Sequence, residues 1–199
     1  MRPWRLFGFR LEPVDGAPCF LTGSLTLGGC GLPSTERLAG CFVAGNGKIQ
    51  GGSSAERDQR EALGRSRGGF STQACVIADG AGRAIGFALA PGQAHELPMA
   101  PALLSFLTAL ALWIVADRGY SSHAFRRLIW DLGSRPAIPT KRNEAPVACP
   151  PWIYANRNLV ERCGSRLKEW RAVATRYEKT ERSFMGVLCM AATMDWLKA

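Results

Sequence analysis

The sequence lacks the residues that staple a small secreted protein or build a zinc module. Its seven cysteines, at positions 19, 30, 41, 75, 149, 163 and 189, are odd in number and show neither C-x-x-C nor Cys/His ligand spacing. A secreted disulfide scaffold and a zinc ribbon are both disfavoured. Cys19, Cys30 and Cys41 recur every 11 residues, but three thiols with no nearby histidine fall one ligand short of a structural zinc site. Histidine is scarce: His95 and His123 are the two present. Neither has the paired nucleophile or carboxylate spacing of a proton-transfer catalyst, so both read as capping or surface residues. The first 15 residues carry Arg2, Arg5, Arg10 and Glu12 and have no apolar stretch of signal-peptide length. A cytoplasmic protein is expected.

Charge is missing from one long run, Leu97 to Ala116, whose 20 residues equal a membrane span. Pro98 and Pro101 stand where a spanning helix would begin, Ser105 and Thr108 are polar, and the run ends in a strand-like Leu, Trp, Ile, Val mixture. A buried helix followed by a buried strand is the better reading, and no membrane association is expected. No internal repeat is evident.

What the chain does have is an ordinary globular balance, 47% apolar and 21% charged over 199 residues. At this length roughly 70% of the unfolded surface can be buried, enough for one core without staples. Twenty-five Lys and Arg against 16 Asp and Glu leave a net charge of +9. That surplus is modest, and typical of proteins that meet phosphate.

Residues 1–50 are glycine-rich and hold no period for more than a few positions. Lys48 to Gly69, with Arg57, Arg60, Arg65 and Arg67, reads as a basic loop. Thr72 to Ala78 and Ala84 to Ala90 are apolar runs joined by Asp79-Gly80-Ala81-Gly82-Arg83, the turn chemistry of an antiparallel hairpin. Glu96 to Thr108 is predicted as a helix and Leu110 to Ala116 as a buried strand. Ser121 to Leu132 follows as a helix capped by Ser121 or Ser122 and stopped by Gly133, then Pro136 to Pro139 as a short strand. Strand, helix, strand over so few residues implies a parallel pair, so the sheet is mixed: a hairpin first, parallel strands after. Tyr154 to Trp170 and Ser183 to Leu197 are predicted as further helices. The predicted class is α/β with a poorly specified N-terminal segment.

Asp117 follows Trp113-Ile114-Val115-Ala116. In a sheet with parallel strands, ligands bind outside the carboxyl ends of those strands. Asp117 is therefore either a site carboxylate or the cap of the turn Arg118-Gly119-Tyr120. On the predicted helix, Tyr154, Arg157, Glu161 and Lys168 share one narrow stripe at ~100° per residue, opposite Leu159, Val160, Cys163, Leu167 and Trp170. The plainest account of the polar stripe is a solvated face with an Arg157 and Glu161 pair worth a few tenths of a kcal/mol. The chemical account is that Asp117 and Glu161 hold a hard divalent cation such as Mg²⁺, with Arg157 and Lys168 neutralising phosphate. Such sites usually need a third carboxylate.

The spacing Tyr154-x2-Arg157-x3-Glu161-x6-Lys168 resembles the Y-R-E-K signature of bacterial insertion-sequence transposases of the DDE type, and Val115-Ala116-Asp117-Arg118-Gly119-Tyr120 resembles their second-aspartate motif. Gly64 to Thr72, Pro91-Gly92-Gln93-Ala94-His95-Glu96, Ile138-Pro139-Thr140-Lys141 and Arg157 to Arg162 are similar to the same family, in its usual order. The resemblance covers about Glu61 to Lys198. It implies an RNase H-like core, a mixed sheet flanked by helices, in which three acids bind Mg²⁺ or Mn²⁺ ions. The implied reaction is nicking at the ends of a mobile element followed by attack of the freed 3′ hydroxyl on target DNA. Carried over by position, Asp117 is the second acid and Glu161 the third. Tyr154, Arg157 and Lys168 contact or orient double-stranded DNA near the cut, on which a homodimer or higher assembly is expected, nucleoid-associated when bound.

The family's first aspartate is missing from its place before the hairpin. Leu32-Pro33-Ser34-Thr35 is the nearest echo, Cys41 to Ala44 is the best strand and has no acid, and Asp15 and Asp58 are poor substitutes. Two parts are therefore expected, a degenerate segment over residues 1–60 and the catalytic domain over 61–199. Impaired catalysis, or an inactive DNA-binding remnant, follows. Arg65 and Arg67, and the cluster Arg126, Arg127, Arg135, Lys141 and Arg142 opposed by Asp131, are expected to track the DNA backbone, against a solvated face as the simpler view. Asp79 reads as turn chemistry rather than as a further ligand.

Overall fold

The computed structural model describes residues 5–6, 9–10, 36–45, 61–66, 69–107 and 111–198, with 5–6, 9–10 and 36–45 described as backbone. Two short strands, β1 (Arg5–Leu6) and β2 (Phe9–Arg10), pair antiparallel. The main sheet is built from β3 (Glu36–Gly45), β4 (Gly64–Ser66), β5 (Gly69–Asp79), β6 (Ala84–Pro91), β7 (Trp113–Ala116) and β8 (Arg135–Ala137). The sheet runs β6-β5-β3-β7-β8, with β4 beside the first residues of β5. β3 is the centre. It pairs antiparallel with β5, from Arg37↔Asp79 to Gly45↔Ser71, and parallel with β7, from Glu36↔Trp113 to Ala39↔Ala116. β8 extends the parallel half.

The predicted hairpin is present. Asp79 closes it as turn chemistry: its Oδ1 accepts from Ala81 N at 3.0 Å and Arg83 N at 2.9 Å, and its Oδ2 receives the Arg83 guanidinium. β5 is buried from Ser71 to Asp79 without alternation, because both faces are covered. Ala74, Val76 and Ala78 join Val115 of β7 in one core; Cys75 and Ile77 join Ile114 and Ala116 in the other. The period-2 geometry of the strands thus separates two helical layers. On the second face lie α1 (Ala100–Leu104) and α2 (His123–Asp131). The first face carries α3 (Pro151–Tyr154), α4 (Arg157–Glu169), α5 (Arg171–Thr175) and α6 (Glu181–Leu197), with α4 and α5 packed on β3.

Several boundaries differ from those predicted. Residues 36–45, inside the segment that shows no period, form the central strand, paired along both edges. Within the predicted basic loop, Gly64–Ser66 folds back on β5 as an edge strand, while 46–60 lie outside the described residues. The helix predicted from Glu96 to Thr108 is a 3₁₀ turn, Leu97–Met99, followed by α1, since Pro98 and Pro101 fit only first-turn positions. Thr108 and Leu110 lie outside the described residues. Among the described residues no helix is long and apolar enough to cross a membrane. The long helix predicted from Tyr154 to Trp170 breaks after Tyr154, and Trp170, with ψ of 111°, ends α4 in extended backbone. The caps of α2 are as expected: Ser122 accepts from Phe125 N, and Gly133 has φ of 79°. Cys75, in register with Cys41, is disulfide-bonded, a bond that cysteine spacing did not suggest.

Cys163, fully buried on α4, has its thiol pushed up to about 11 by burial. Because the folded protein holds this proton more tightly than the unfolded chain, the stabilisation is complete below pH ~9 and is lost as the pH rises toward 11. Denaturation by urea should show a loss of about 2–3 kcal/mol over that interval, absent from Cys163→Ala. An identical slope in the variant would contradict this.

Candidate active site

β7 is short and wholly apolar at its end, with Ile114, Val115 and Ala116 fully buried, and it delivers Asp117 to the carboxyl edge of the sheet. Asp117 keeps extended backbone, φ −77° and ψ 179°, before the turn Arg118–Tyr120 begins. Its Oδ1 accepts from Gly119 N at 2.8 Å, so the capping role is real. The side chain remains only half-buried, which leaves the carboxylate open to a ligand as well. Tyr120 anchors the turn from beneath, fully buried 6.1 Å from the ring of Phe125. Burial, then the charges of Glu96 and Asp117, hold its phenol far above the usual range.

Glu96, placed by the turn after β6, faces Asp117. Its Oε1 receives Gln73 Nε2 from β5 at 3.2 Å. A Cβ built on Gly119 would stand 2.5 Å from Glu96 Oε2 and 3.0 Å from Asp117 Oδ1, so glycine is what lets the two carboxyls approach. With both ionised, no donor lies between them, and Glu96 Oε2 is buried without a partner. Burial first, then the charge of Asp117 and a proton bridging the pair, raise Glu96 above the ordinary carboxylate range. In the sequence Glu96 stands out as the last residue of Pro91 to Glu96 and the start of a predicted helix, with no site role attached.

The polar stripe begins where α3 ends. Burial raises the Tyr154 phenol; the nearby Arg157 charge opposes this and the Asp117 charge adds to it, so Tyr154 senses both. The Arg157 guanidinium lies 5.8 Å from the Tyr154 ring centroid, and its Nη1 is 2.5 Å from Glu161 Oε1. This is the i, i+4 pair the plain reading anticipates, on the exposed side of α4. Lys168 is exposed two turns further on. The structure joins Asp117 to Glu96 directly and to Tyr154 through charge, and engages Glu161 with Arg157. Among the described residues no group of three or more His, Cys, Asp or Glu stands ready to hold a metal.

The basic residues divide. Arg65, Arg127, Arg135, Lys141 and Arg142 are exposed, and Arg67 lies outside the described residues. Arg126 corrects the expectation. It is 8% exposed and binds Ser121 Oγ at 2.8 Å and the carbonyls of Ile138 and Pro139 at 3.2 and 3.3 Å, with Glu144 at 3.7 Å. A buried guanidinium needs acceptors; Ser121 and the loop after β8 supply them at its two terminal nitrogens, while its Nε is buried without a partner.

A central strand antiparallel to one neighbour and parallel to the other, with a carboxylate at the end of that parallel neighbour, defines an RNase H-like α/β protein. Two models of the transposase DDE domain match the chain, one over residues 49–147 and one over 114–198. A Brucella ovis protein named as a transposase for insertion sequence element IS6501 is 29% identical over 131 residues, 65% of this chain and 100% of that protein. The piggyBac transposase, in a synaptic complex with hairpin DNA, is similar in fold at a TM-score of 0.50 and 10% identity, over 84% of this chain and 48% of that one. The catalytic core domain of BIV integrase has a TM-score of 0.45 at 15% identity, over 80% and 82%. The chain belongs to the DDE transposase family and is a transposase of an insertion element.

Proposed function

We propose that the chain binds double-stranded DNA at element ends and at the target, and carries the machinery for metal-dependent phosphodiester cleavage and strand transfer. Asp117 at the carboxyl edge of the sheet carries this reading, with the Tyr154, Arg157 and Glu161 array leading away from it. Asp117 and Glu161 are its acids; Arg157, Lys168 and Tyr154 meet DNA near the cut, and Arg65, Arg67, Lys141 and Arg142 hold the backbone further out. The fit to a divalent ion rests on hard oxygen donors, half-exposed on Asp117 and buried without a partner on Glu96. Mg²⁺ or Mn²⁺ bound there would supply activation of the attacking oxygen and stabilisation of the leaving one. Arg157 now neutralises Glu161 and is placed to exchange that carboxylate for a phosphate.

The catalytic domain extends beyond 61–199 in this reading, because β3 is its central strand. β3 also motivates the second reading, a DNA-binding remnant without turnover. Ala39 pairs with Ala116, which puts Gly40 beside Asp117, and no residue from Arg37 to Gly45 is acidic. The first acid of the family pattern is missing from that position, so catalysis is impaired. Assembly on DNA as a dimer or more, in the cytoplasm and on the nucleoid, completes the proposal.

DNA affinity should fall steeply with salt, and Arg157→Ala with Lys168→Ala should flatten the log–log salt slope by about one unit per phosphate contact removed. Gel-shift titration from low to physiological salt measures it. Salt-independent binding, or none at low salt, would remove both readings.

A further inference from the structure

Gln73, Glu96 and Asp117 come from three separate elements, β5, the turn after β6 and the end of β7, yet the Glu96 and Asp117 carboxyls meet at Gly119 and Gln73 reaches Glu96 from the sheet. Gln73 is 6% exposed; its amide nitrogen holds Glu96 Oε1, and its own Oε1 is buried with no partner. Glu96 Oε2 is equally without one. Leaving two buried oxygens unpaired beside a third carboxylate is costly in a folded protein, about 1–3 kcal/mol for each such group. All the unsatisfied groups are acceptors, so a hydrogen-bond donor or a cation is what the cluster lacks. Glu96 and Asp117 accept hydrogen bonds from Gln73 Nε2 and Gly119 N.

We propose that Glu96, with Asp117 and the Gln73 carbonyl, forms a site for one divalent cation, Glu96 being a ligand additional to the acids of the catalytic reading. The inference rests on the proposed function for the identity of the ion and adds a residue to it. Two carboxylates and one neutral oxygen suit Mg²⁺ or Mn²⁺, which keep several waters and take few protein ligands. Gly119 is the device that makes room, since any side chain there would occupy the space between the two carboxyls. The Gln73 amide nitrogen at the same time holds Glu96 Oε1, which fixes that carboxyl as a partner of a metal ligand does.

The test is Mn²⁺ binding to the full chain without DNA, read by electron paramagnetic resonance of the free ion, with circular dichroism melts to confirm folding. Wild type should bind one ion. Glu96→Gln, Glu96→Ala and Gly119→Ala should each weaken it at least about tenfold, and Glu169→Gln, at the exposed far end of α4, should leave it within about twofold. Gly119→Ala removes no ligand, so loss of binding there reports the geometry rather than a missing charge. If Asp117→Asn loses the ion while both Glu96 variants bind as wild type, Glu96 is not a ligand and the inference fails, with the proposed function intact. If the folded wild type binds no Mn²⁺ at all, the inference also fails, and the salt-dependent DNA titration then decides the proposed function separately.

Discussion

Replacing Arg176 by alanine should lower the stability of the fold by about 4 kcal/mol, the sum expected when a buried guanidinium that serves several acceptors and packs on an aromatic ring is removed. Arg176 is 2% exposed, at the left-handed end of α5 with φ of 47°. Its guanidinium donates to the Glu61 carbonyl at 2.8 Å, to the Ala62 and Glu178 carbonyls at 3.3 Å, and to Thr72 Oγ1. It also lies 5.0 Å from the ring centroid of Phe184. Burial lowers its affinity for its proton, and the charges of Glu181, Glu61 and Glu178 oppose that. One side chain therefore ties the segment before β4, the middle of the sheet and the start of α6 together. Its loss takes the donor from the Glu61 and Glu178 carbonyls, while Thr72 Oγ1 keeps its own hydrogen bond to the Ala62 carbonyl. At ~2–4 °C per kcal/mol for a chain of this size, the melting temperature should fall by about 10 °C. Arg176→Lys keeps the charge but not the fork and should recover less than half of the loss. A fall of under about 2 °C for alanine would show that the network contributes little.

Arg176 also shows what the sequence could not display. Its partners Glu61, Ala62 and Thr72 lie more than 100 residues away in the chain, and no periodicity or spacing encodes such a contact. Arg126 is the same case at shorter range, a residue that composition assigns to a basic surface and packing assigns to the interior. The hairpin, α2 and the strand before Asp117 were legible because each announces itself locally, by turn residues, caps or an apolar run. β3 was not, since a strand that runs Glu-Arg-Leu-Ala-Gly-Cys-Phe-Val-Ala-Gly shows no steady alternation and resembles an apolar loop until its neighbours are known. The site divides along the same line. Asp117 and the stripe from Tyr154 to Lys168 follow from position and helical spacing, whereas the approach of Glu96 to Asp117 depends on how the turns after β6 and β7 close over Gln73.

Gly40→Asp should raise metal-dependent nicking of element-end DNA by about ten- to a hundredfold over the unmodified chain, the scale on which ~1 Å of misplacement costs rate. The argument is one of register. Ala39 opposite Ala116 places Gly40 opposite Asp117, and Gly40 pairs on its other side with Val76. Val76 and Val115 belong to the core that α4 covers, so alternation sets position 40 on the sheet face that carries Glu161's helix. Position 41, in register with Cys75, falls on the other face by the same alternation. An acid at 40 would thus join Asp117 and Glu161, and an acid at 41 would not. Electrostatics gives the reason for the gain. Two divalent ions bring four positive charges, and two carboxylates, or three with Glu96, neutralise them incompletely before DNA arrives. The cost is a carboxyl near the centre of the sheet, which should reduce stability by about 1–3 kcal/mol when no metal is present. The assay compares wild type, Gly40→Asp, Cys41→Asp, and Gly40→Asp combined with Asp117→Asn, each with Mg²⁺ or Mn²⁺ and each checked for folding. Only Gly40→Asp should gain, and the added Asp117→Asn should abolish the gain. Equal nicking by wild type and Gly40→Asp would mean that the third acid is already supplied from elsewhere in the chain, and the reading of β3 as the strand that lost it would be wrong.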